Sequence, residues 1–238
     1  MSTTTTEAAA PPQLLEATEF LDSGSPEVRQ LVERTLKGDE SARDRAVKLY
    51  YAVRDGIRYE VYGASLSREG LKASAILRAG FGFCIHKSVV YAAAARAAGI
   101  PSRLVLADVR NHLASERLRE LVGGDLFRFH ALTSVFVDGQ WVRATPVFNK
   151  ILCRLYGISP LEFDGCTDSL YHPYDSNGRR HMEFVHHHGE FDDFPYELVT
   201  QGIRNAHPRL FASQDQTTTG SLASEAPQPF EASAPAAP

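Results

Sequence analysis

The sequence predicts an α+β fold in which helices come first and antiparallel strands follow, and three stretches predict it. An Ala-rich run from Ile85 to Ala98 opens on Gly80-Phe-Gly-Phe-Cys84 and closes on Gly99 and Pro101, a normal helix ending. Its small side chains let it pack closely, which places it centrally. Arg103-Leu-Val-Leu-Ala-Asp108 reads as a strand. Phe129 to Val137 and Gln140 to Ala144 flank Asp138-Gly139, a pair that favours the two-residue turn matched to strand twist, and so predict a β-hairpin. Strands gathered after a helical half argue for α+β and against a doubly wound sheet.

Upstream, Ser25-Pro26-Glu27 supplies a hydroxyl N-cap, a proline at the first helical position and an acid in the first turn. That helix stops near Gly38. A second begins near Asp39 and carries Ala42, Ala46, Leu49, Tyr50, Val53 and Ile57 at spacings of three or four, one apolar face. A third is expected between Ser67 and Ala79. From Lys150 to Phe211 the pattern weakens into scattered Pro, Gly, Asp and His, which reads as a mixed subdomain or long loops wrapping the core.

The 238 residues carry 25 Lys+Arg and 29 Asp+Glu, a formal charge of −4. The excess lies at the ends: with Glu7, Asp215, Glu225 and Glu231 set aside, Leu14 to Phe211 holds 25 charges of each sign. A balanced body argues against nucleic acid as a partner, because such binding relies on a clustered basic excess to displace counterions. It offers no broad basic membrane patch either. No run approaches the ~18 apolar residues of a membrane span, and Met1 to Pro12 lacks the basic and apolar regions of a secretory signal.

Of the last 27 residues, 21 are Ala, Ser, Thr, Pro or Gln, too little apolar surface to offset chain ordering. Residues 1–13 and 212–238 are therefore expected to be disordered, flanking one domain over 14–211. Cys84, Cys153 and Cys166 form an odd set with no CxxC, which indicates neither a disulfide framework nor a zinc finger. The expected compartment is a reducing cytoplasm, and no cofactor is called for.

Cys84 is the sharpest chemical feature. A thiol in the first turn of a helix sees the positive end of the backbone dipole, which favours thiolate. Gly80 and Gly82 leave room for a substrate backbone, and first-turn amides can bond a developing oxyanion. Against this, cysteine is also a small hydrophobe that is commonly buried and inert. A nucleophilic cysteine needs a base, and the hairpin singles out His130 among nine histidines. If Asp138-Gly139 form the turn, Leu132 lies opposite Thr145 and His130 opposite Val147. His130, Leu132 and Thr145 then share one face, with a hydroxyl diagonally beside the imidazole where a group orienting the base would sit. The plainer reading of a strand histidine is a hydrogen-bonded packing residue.

These residues together resemble a known family. Gly82-Phe-Cys84 leading into a helix, Arg96-Ala-Ala-Gly-Ile-Pro-Ser-Arg103 at its end, His130-Ala, and Val137-Asp-Gly-Gln-Trp-Val142 are similar to the core of the transglutaminase-like superfamily. Tyr51-Ala-Val-Arg-Asp-Gly-Ile-Arg-Tyr59 is similar to the segment that precedes it. The resemblance covers a core of residues 50–149, with 150–211 as a C-terminal extension. It implies a papain-like fold with the nucleophile on a helix packed against an antiparallel sheet, Cys84 as nucleophile and His130 as general base. At the third position the family has Asp, whereas this chain has Thr145 in Trp141-Val-Arg-Ala-Thr-Pro146. A neutral hydroxyl accepts a hydrogen bond but cannot stabilise imidazolium as a carboxylate does. Asn149 is an alternative orienting group, as an amide is in papain-like proteases, and Asp164 a more distant one. Ala-Asp-Val-Arg-Asn-His (107–112), Ala-Thr-Pro-Val-Phe-Asn (144–149) and Glu-Phe-Asp-Gly (162–165) also resemble a bacterial subgroup of these proteins, which makes Thr145 a subgroup feature.

Other residues weigh less. His186-His187-His188, with His181 and Glu190, lack the i, i+4 spacing of a helical metal-ligand pair and read as a solvated turn. His86 points about 200° away from Cys84 on the helix. Tyr59 is a candidate oxyanion or cleft-wall contact. Asp108, Arg110 and His112 are candidate substrate contacts or a capped strand end. Trp141 is expected to anchor the hairpin. The function implied is cysteine-dependent acyl chemistry on a peptide or amide substrate, with hydrolysis favoured over transglutamination. Two rivals remain: a binding module that has lost turnover, motivated by Thr145, and an acyltransferase using a thioester donor.

Overall fold

In the computed structural model, residues 10–112, 114–170, 182–210 and 220–226 are described. The first helices are α1 (Pro26–Thr35) and α2 (Ala42–Gly56). Ser25 occupies the N-cap of α1, and Ser41 Oγ caps α2 by accepting the Asp44 N–H at 3.1 Å. The expected apolar face of α2 is buried through Ala46, Leu49, Tyr50 and Val53. A two-residue strand β1 (Arg58–Tyr59) follows. The third helix α3 (Ala73–Ala79) starts later than the expected Ser67. The serine hydroxyls compete for the backbone there: Ser65 Oγ accepts the Ser67 N–H and Ser67 Oγ the Gly70 N–H, giving side-chain turns in place of a helical start.

Gly80, at φ 72°, ends α3 in the left-handed conformation that glycine adopts without strain. Strand β2 (Phe81–Gly82) then pairs parallel with β1, setting Tyr59 opposite Gly82 at the entrance to α4 (Cys84–Ala97). Helix α4 is buried at every position from Cys84 to Arg96, in keeping with its run of alanines. Its two buried basic side chains act as ties. Lys87 Nζ donates to the carbonyls of Arg54 and Ile57 at 2.7 Å each, closing the end of α2. Arg96 donates to the carbonyls of Glu16 and Ser102, both at 2.8 Å.

The sheet comprises β3 (Ser102–Asn111), β4 (Leu126–Val137) and β5 (Gln140–Ala144), with α5 (Glu116–Val122) between the first two. The 150–211 segment supplies α6 (Lys150–Tyr156), β6 (Met182–Phe191) and α7 (Tyr196–Ala206). Strand β6 is the fourth member of that same sheet, whose order is β5-β4-β3-β6 with every neighbour antiparallel. The fold is therefore α+β, with a helical half against an antiparallel sheet, as the order of elements predicts. The hairpin has the expected register, Val137 opposite Gln140 and Thr133 opposite Ala144, about Asp138 (φ 50°) and Gly139 (φ 81°). Trp141 lies opposite Phe136 with ring centroids 5.3 Å apart, and the Arg103 guanidinium covers the indole at 4.2 Å.

The expected disorder of the ends falls largely on residues 1–9, 212–219 and 227–238, which lie outside the described residues. Residues 12–13, which open a 3-10 turn (Pro12–Leu15), and residues 220–226 differ from that expectation. Leu222 heads a 3-10 turn (Leu222–Glu225) and is 3% exposed. It is fixed by its N–H donating to Glu60 Oε2 at 3.1 Å and its carbonyl accepting from Tyr156 Oη at 2.8 Å. Glu225 adds a hydrogen bond from Ser115 Oγ at 2.7 Å and an ion pair with Arg117, so the short piece is held at both ends. Among the described residues, no helix is long and apolar enough to cross a membrane.

Candidate active site

The start of α4 and one end of β4 meet at a cavity of about 300 Å³ whose wall includes Cys84, His130, Tyr59, Phe148 and Leu222. The N-cap of α4 is Phe83, whose side chain makes no capping bond, so the first-turn amides face Cys84 with no competing side-chain acceptor. Cys84 is only 9% exposed. Burial pushes its thiol up to about 11, while the backbone N–H groups of Ala131, Ile85 and Cys84 itself pull the other way. The expectation that the helix start favours thiolate is thus corrected: the amides act as anticipated, but desolvation outweighs them.

Gly82 also serves differently from expectation. A Cβ there would lie 2.5 Å from His86 Cβ, so the space is taken by the His86 side chain and not by a substrate backbone. His86 Nε2 is 2.9 Å from the Ser65 carbonyl, and the residue is 2% exposed. It does not border the cavity.

The helix is fastened to the strand one turn beyond the thiol. Ser88 Oγ donates to the Ala131 carbonyl at 2.9 Å, and Thr133 Oγ1 donates to the Ser88 carbonyl at 3.0 Å. His130 immediately precedes Ala131, and its strand bends just before it. Phe129 adopts φ 57°, a left-handed conformation uncommon for a bulky residue, opposite a register shift between Ala107 and Val109. The fully buried Asp108 holds this bend. Its Oδ1 accepts the Phe129 N–H at 3.1 Å and lies 2.6 Å from His188 Nε2, and its Oδ2 accepts from Arg128. Burial pushes this carboxyl up, but His188, Arg128 and the Phe129 amide together outweigh it and hold it below its ordinary range. The Phe129 ring stacks on His188 at 4.3 Å and covers Gly202 of α7, where a Cβ would come within 2.0 Å of it.

His130 is 5% exposed, its Nε2 has no hydrogen-bond partner, and burial pulls the imidazole down to about 4. The resting pair is consequently a neutral thiol and a neutral imidazole. Thr145 joins His130 at the wall of a second void of about 20 Å³, and its Oγ1 is likewise buried without a partner. Its backbone is fixed by its own N–H donating to the Ser169 carbonyl and by Tyr50 Oη donating to its carbonyl at 3.2 Å. Asn149 is buried at the N-cap of α6 with Oδ1 unpartnered, but it borders neither void. Asp164 is remote from both, bonding the N–H groups of Cys166 and Thr167 at 2.8 Å each in an exposed turn.

Tyr59 borders the cavity with its ring 4.7 Å from that of Phe148, and burial, with Cys84 nearby, raises its hydroxyl well above the ordinary range. Asp108 does not border the cavity; it lies on β3 beside the His130 strand, where it bonds the Phe129 N–H. Arg110 lies outside it, paired with Asp125 and Glu183, whereas His112 borders it. The predicted solvated turn at His186-His187-His188 is strand β6, with His188 committed to Asp108; His181 lies outside the described residues. No cluster of three or more His, Cys, Asp or Glu that could hold a metal occurs among the described residues. All three cysteines are free thiols, Cys153 buried and Cys166 partly exposed. The Asp108–Phe129–His188 assembly escapes sequence reading, because a left-handed phenylalanine leaves no composition signal. The single carboxylate inside the apolar strand run was the one available sign.

Residues 29–146 match the family model described as the transglutaminase-like superfamily. No curated protein matches the chain. Two solved structures are similar in part. A candidate cysteine protease from Cytophaga hutchinsonii aligns at 15% identity and a TM-score of 0.42, over 56% of this chain and 40% of that one. A candidate protease from Parabacteroides distasonis aligns at 14% identity and a TM-score of 0.36, over 56% of this chain and 24% of that one. The chain thus spans about two fifths of the first and a quarter of the second.

Proposed function

The chain belongs to the transglutaminase-like superfamily, and on that premise we propose that it is a cysteine hydrolase of amide bonds, with Cys84 as nucleophile and His130 as general base. The observation that carries the reading is the unpartnered Nε2 of a buried His130 in a cavity shared with the Cys84 thiol. A buried imidazole nitrogen with no partner is costly unless it has a use, and proton acceptor to a thiol that borders the same cavity is such a use.

Because burial disfavours both charged forms, the ion pair is not the resting state. His130 takes the thiol proton as the sulfur attacks the carbonyl. In this reading the N–H groups of Cys84 and Ile85, which favour the thiolate, stabilise the oxyanion as it forms. The imidazolium then returns its proton to the leaving amine, the C–N bond breaks, and water releases the acid from the thioester. Acyl transfer to an amine would differ only in the species that resolves the thioester, and a thioester donor only in the leaving group.

A non-catalytic binding role is favoured by one observation, the absence of a carboxylate where Thr145 stands. Intact-mass measurement with activated acyl donors decides between them. A +acyl adduct on wild type, lost in Cys84→Ser and trapped as the hydroxamate by hydroxylamine, is the expected result. Absence of an adduct with every donor, at any pH up to about 10, sinks the catalytic reading.

A further inference from the structure

We propose that the cavity beside Cys84 is an acyl-binding pocket selecting substrates whose scissile carbonyl carries a bulky apolar group, such as a medium-length alkyl chain. This deepens the hydrolase reading and rests on it. At about 300 Å³ the cavity is at the lower end of the range for small-molecule sites. Its wall is dominated by apolar side chains, among them Val61, Leu118, Val122, Phe127, Phe148 and Ile203.

The polar groups on the wall are for the most part engaged with the protein. His207 uses both ring nitrogens, Nδ1 with the Val122 carbonyl at 2.7 Å and Nε2 accepting the Arg128 N–H at 3.0 Å. Ser115 Oγ donates to Glu225 and accepts the Leu118 N–H, and Tyr156 Oη donates to the Leu222 carbonyl. Arg128 is paired with Asp108. A peptide main chain entering here would give up its hydrogen bonds to water for few replacements, whereas an alkyl or aryl group gives up none. Cys84 and His130 both border this space, so a carbonyl brought to the thiol leaves its acyl substituent inside.

In the reaction with an ester, the Cys84 S–C bond forms as the acyl C–O bond breaks, the thiol proton passes through His130 to the departing oxygen, and water then cleaves the thioester to acid and free thiol. The test is a series of 4-nitrophenyl esters with one leaving group and acyl chains from acetyl to decanoyl, followed by release of nitrophenolate and by intact mass. Burial of each methylene is worth about fourfold in kcat/KM until the cavity fills. The expected result is a rise of at least about a hundredfold from acetyl to octanoyl, lost in Cys84→Ser. Cys84 adducts that form at rates within about threefold across the series would overturn the pocket and leave the nucleophile standing. No Cys84 adduct with any ester would overturn the hydrolase reading.

Two further measurements keep the pocket testable apart from turnover. By calorimetry, octanamide should bind Cys84→Ser with a negative heat-capacity change and acetamide should not; equal behaviour of the two amides counts against the pocket. Ala114→Phe adds bulk to the wall and should move the optimum to shorter chains. An unchanged optimum in a folded variant also counts against it.

Discussion

Ser88 Oγ donates to the carbonyl of Ala131 at 2.9 Å, which joins the helix one turn after Cys84 to the strand one residue after His130. The return bond from Thr133 to the Ser88 carbonyl makes the contact reciprocal. The thiol and the imidazole are set on different elements, so their alignment depends on this fastening more than on either element alone. Ser88→Ala should lower stability by about 1–2 kcal/mol, the cost of a lost buried hydrogen bond. It should slow acylation of Cys84 by about tenfold or more, since small misplacements at a reacting centre cost heavily. Urea unfolding and single-turnover acylation, measured side by side, check this. A destabilised variant that acylates at the wild-type rate would reduce Ser88 to a packing role.

Thiol reactivity follows from the neutral resting pair. With burial raising Cys84 to about 11, its alkylation by iodoacetamide should climb steadily with pH from about 7 to 10 and show no acid-side plateau. Below about pH 8 it should trail the partly exposed Cys166. Peptide mapping of labelled protein reads both sites at once. A Cys84 rate that stays high and flat down to about pH 5 would mean a preformed thiolate–imidazolium pair.

Much of the site was legible because it is written in local signals. Asp138-Gly139 dictates the turn, the turn dictates the register, and the register places Thr145 on the face of His130; the observed pairing of Val137 with Gln140 follows that count. The start of α4 at Cys84 was likewise legible from the glycines before it. What escaped depends on distant contacts. Gly82 is dictated by the volume of His86, the pitch of β4 by a left-handed Phe129, and the protonation of Cys84 by how much chain covers it. Strand β6 escaped because its partner β3 is distant in sequence, and its histidines and Gly189 blur any alternation.

Acid sensitivity is a second consequence of buried histidines. Burial pulls both His86 and His130 down to about 4 from an ordinary value of 6.5. Above about pH 7.5 neither state binds an appreciable share of a proton at these rings, and they add no pH dependence. As pH falls from about 6.5 toward 4, the unfolded chain takes up protons that the folded one refuses, so stability drops, by up to about 3 kcal/mol for each histidine. The urea midpoint should therefore fall between about pH 6.5 and 5, before most carboxylates titrate. His130→Gln should flatten that slope. An unchanged slope in this variant would show that His130 protonates freely in the folded protein.

Thr145 and His130 share one small void with both polar atoms unpartnered, which makes Thr145 the position where an orienting group would act, ahead of Asn149 and Asp164. Thr145→Asp would set a carboxylate beside the imidazole and favour its protonated form. The thiol would then yield its proton more readily, and Cys84 alkylation at about pH 6–7 should rise by about tenfold or more. The same carboxylate is buried at a site 4% exposed, so stability should fall by several kcal/mol. Asn149→Ala and Asp164→Ala should leave Cys84 labelling within about threefold of wild type, because neither side chain borders the void. Alkylation rates and urea midpoints for the three variants read both effects. A Thr145→Asp protein that folds yet labels no faster would mean that the 145 side chain does not reach the imidazole, and a large loss in Asn149→Ala would return the orienting role to Asn149.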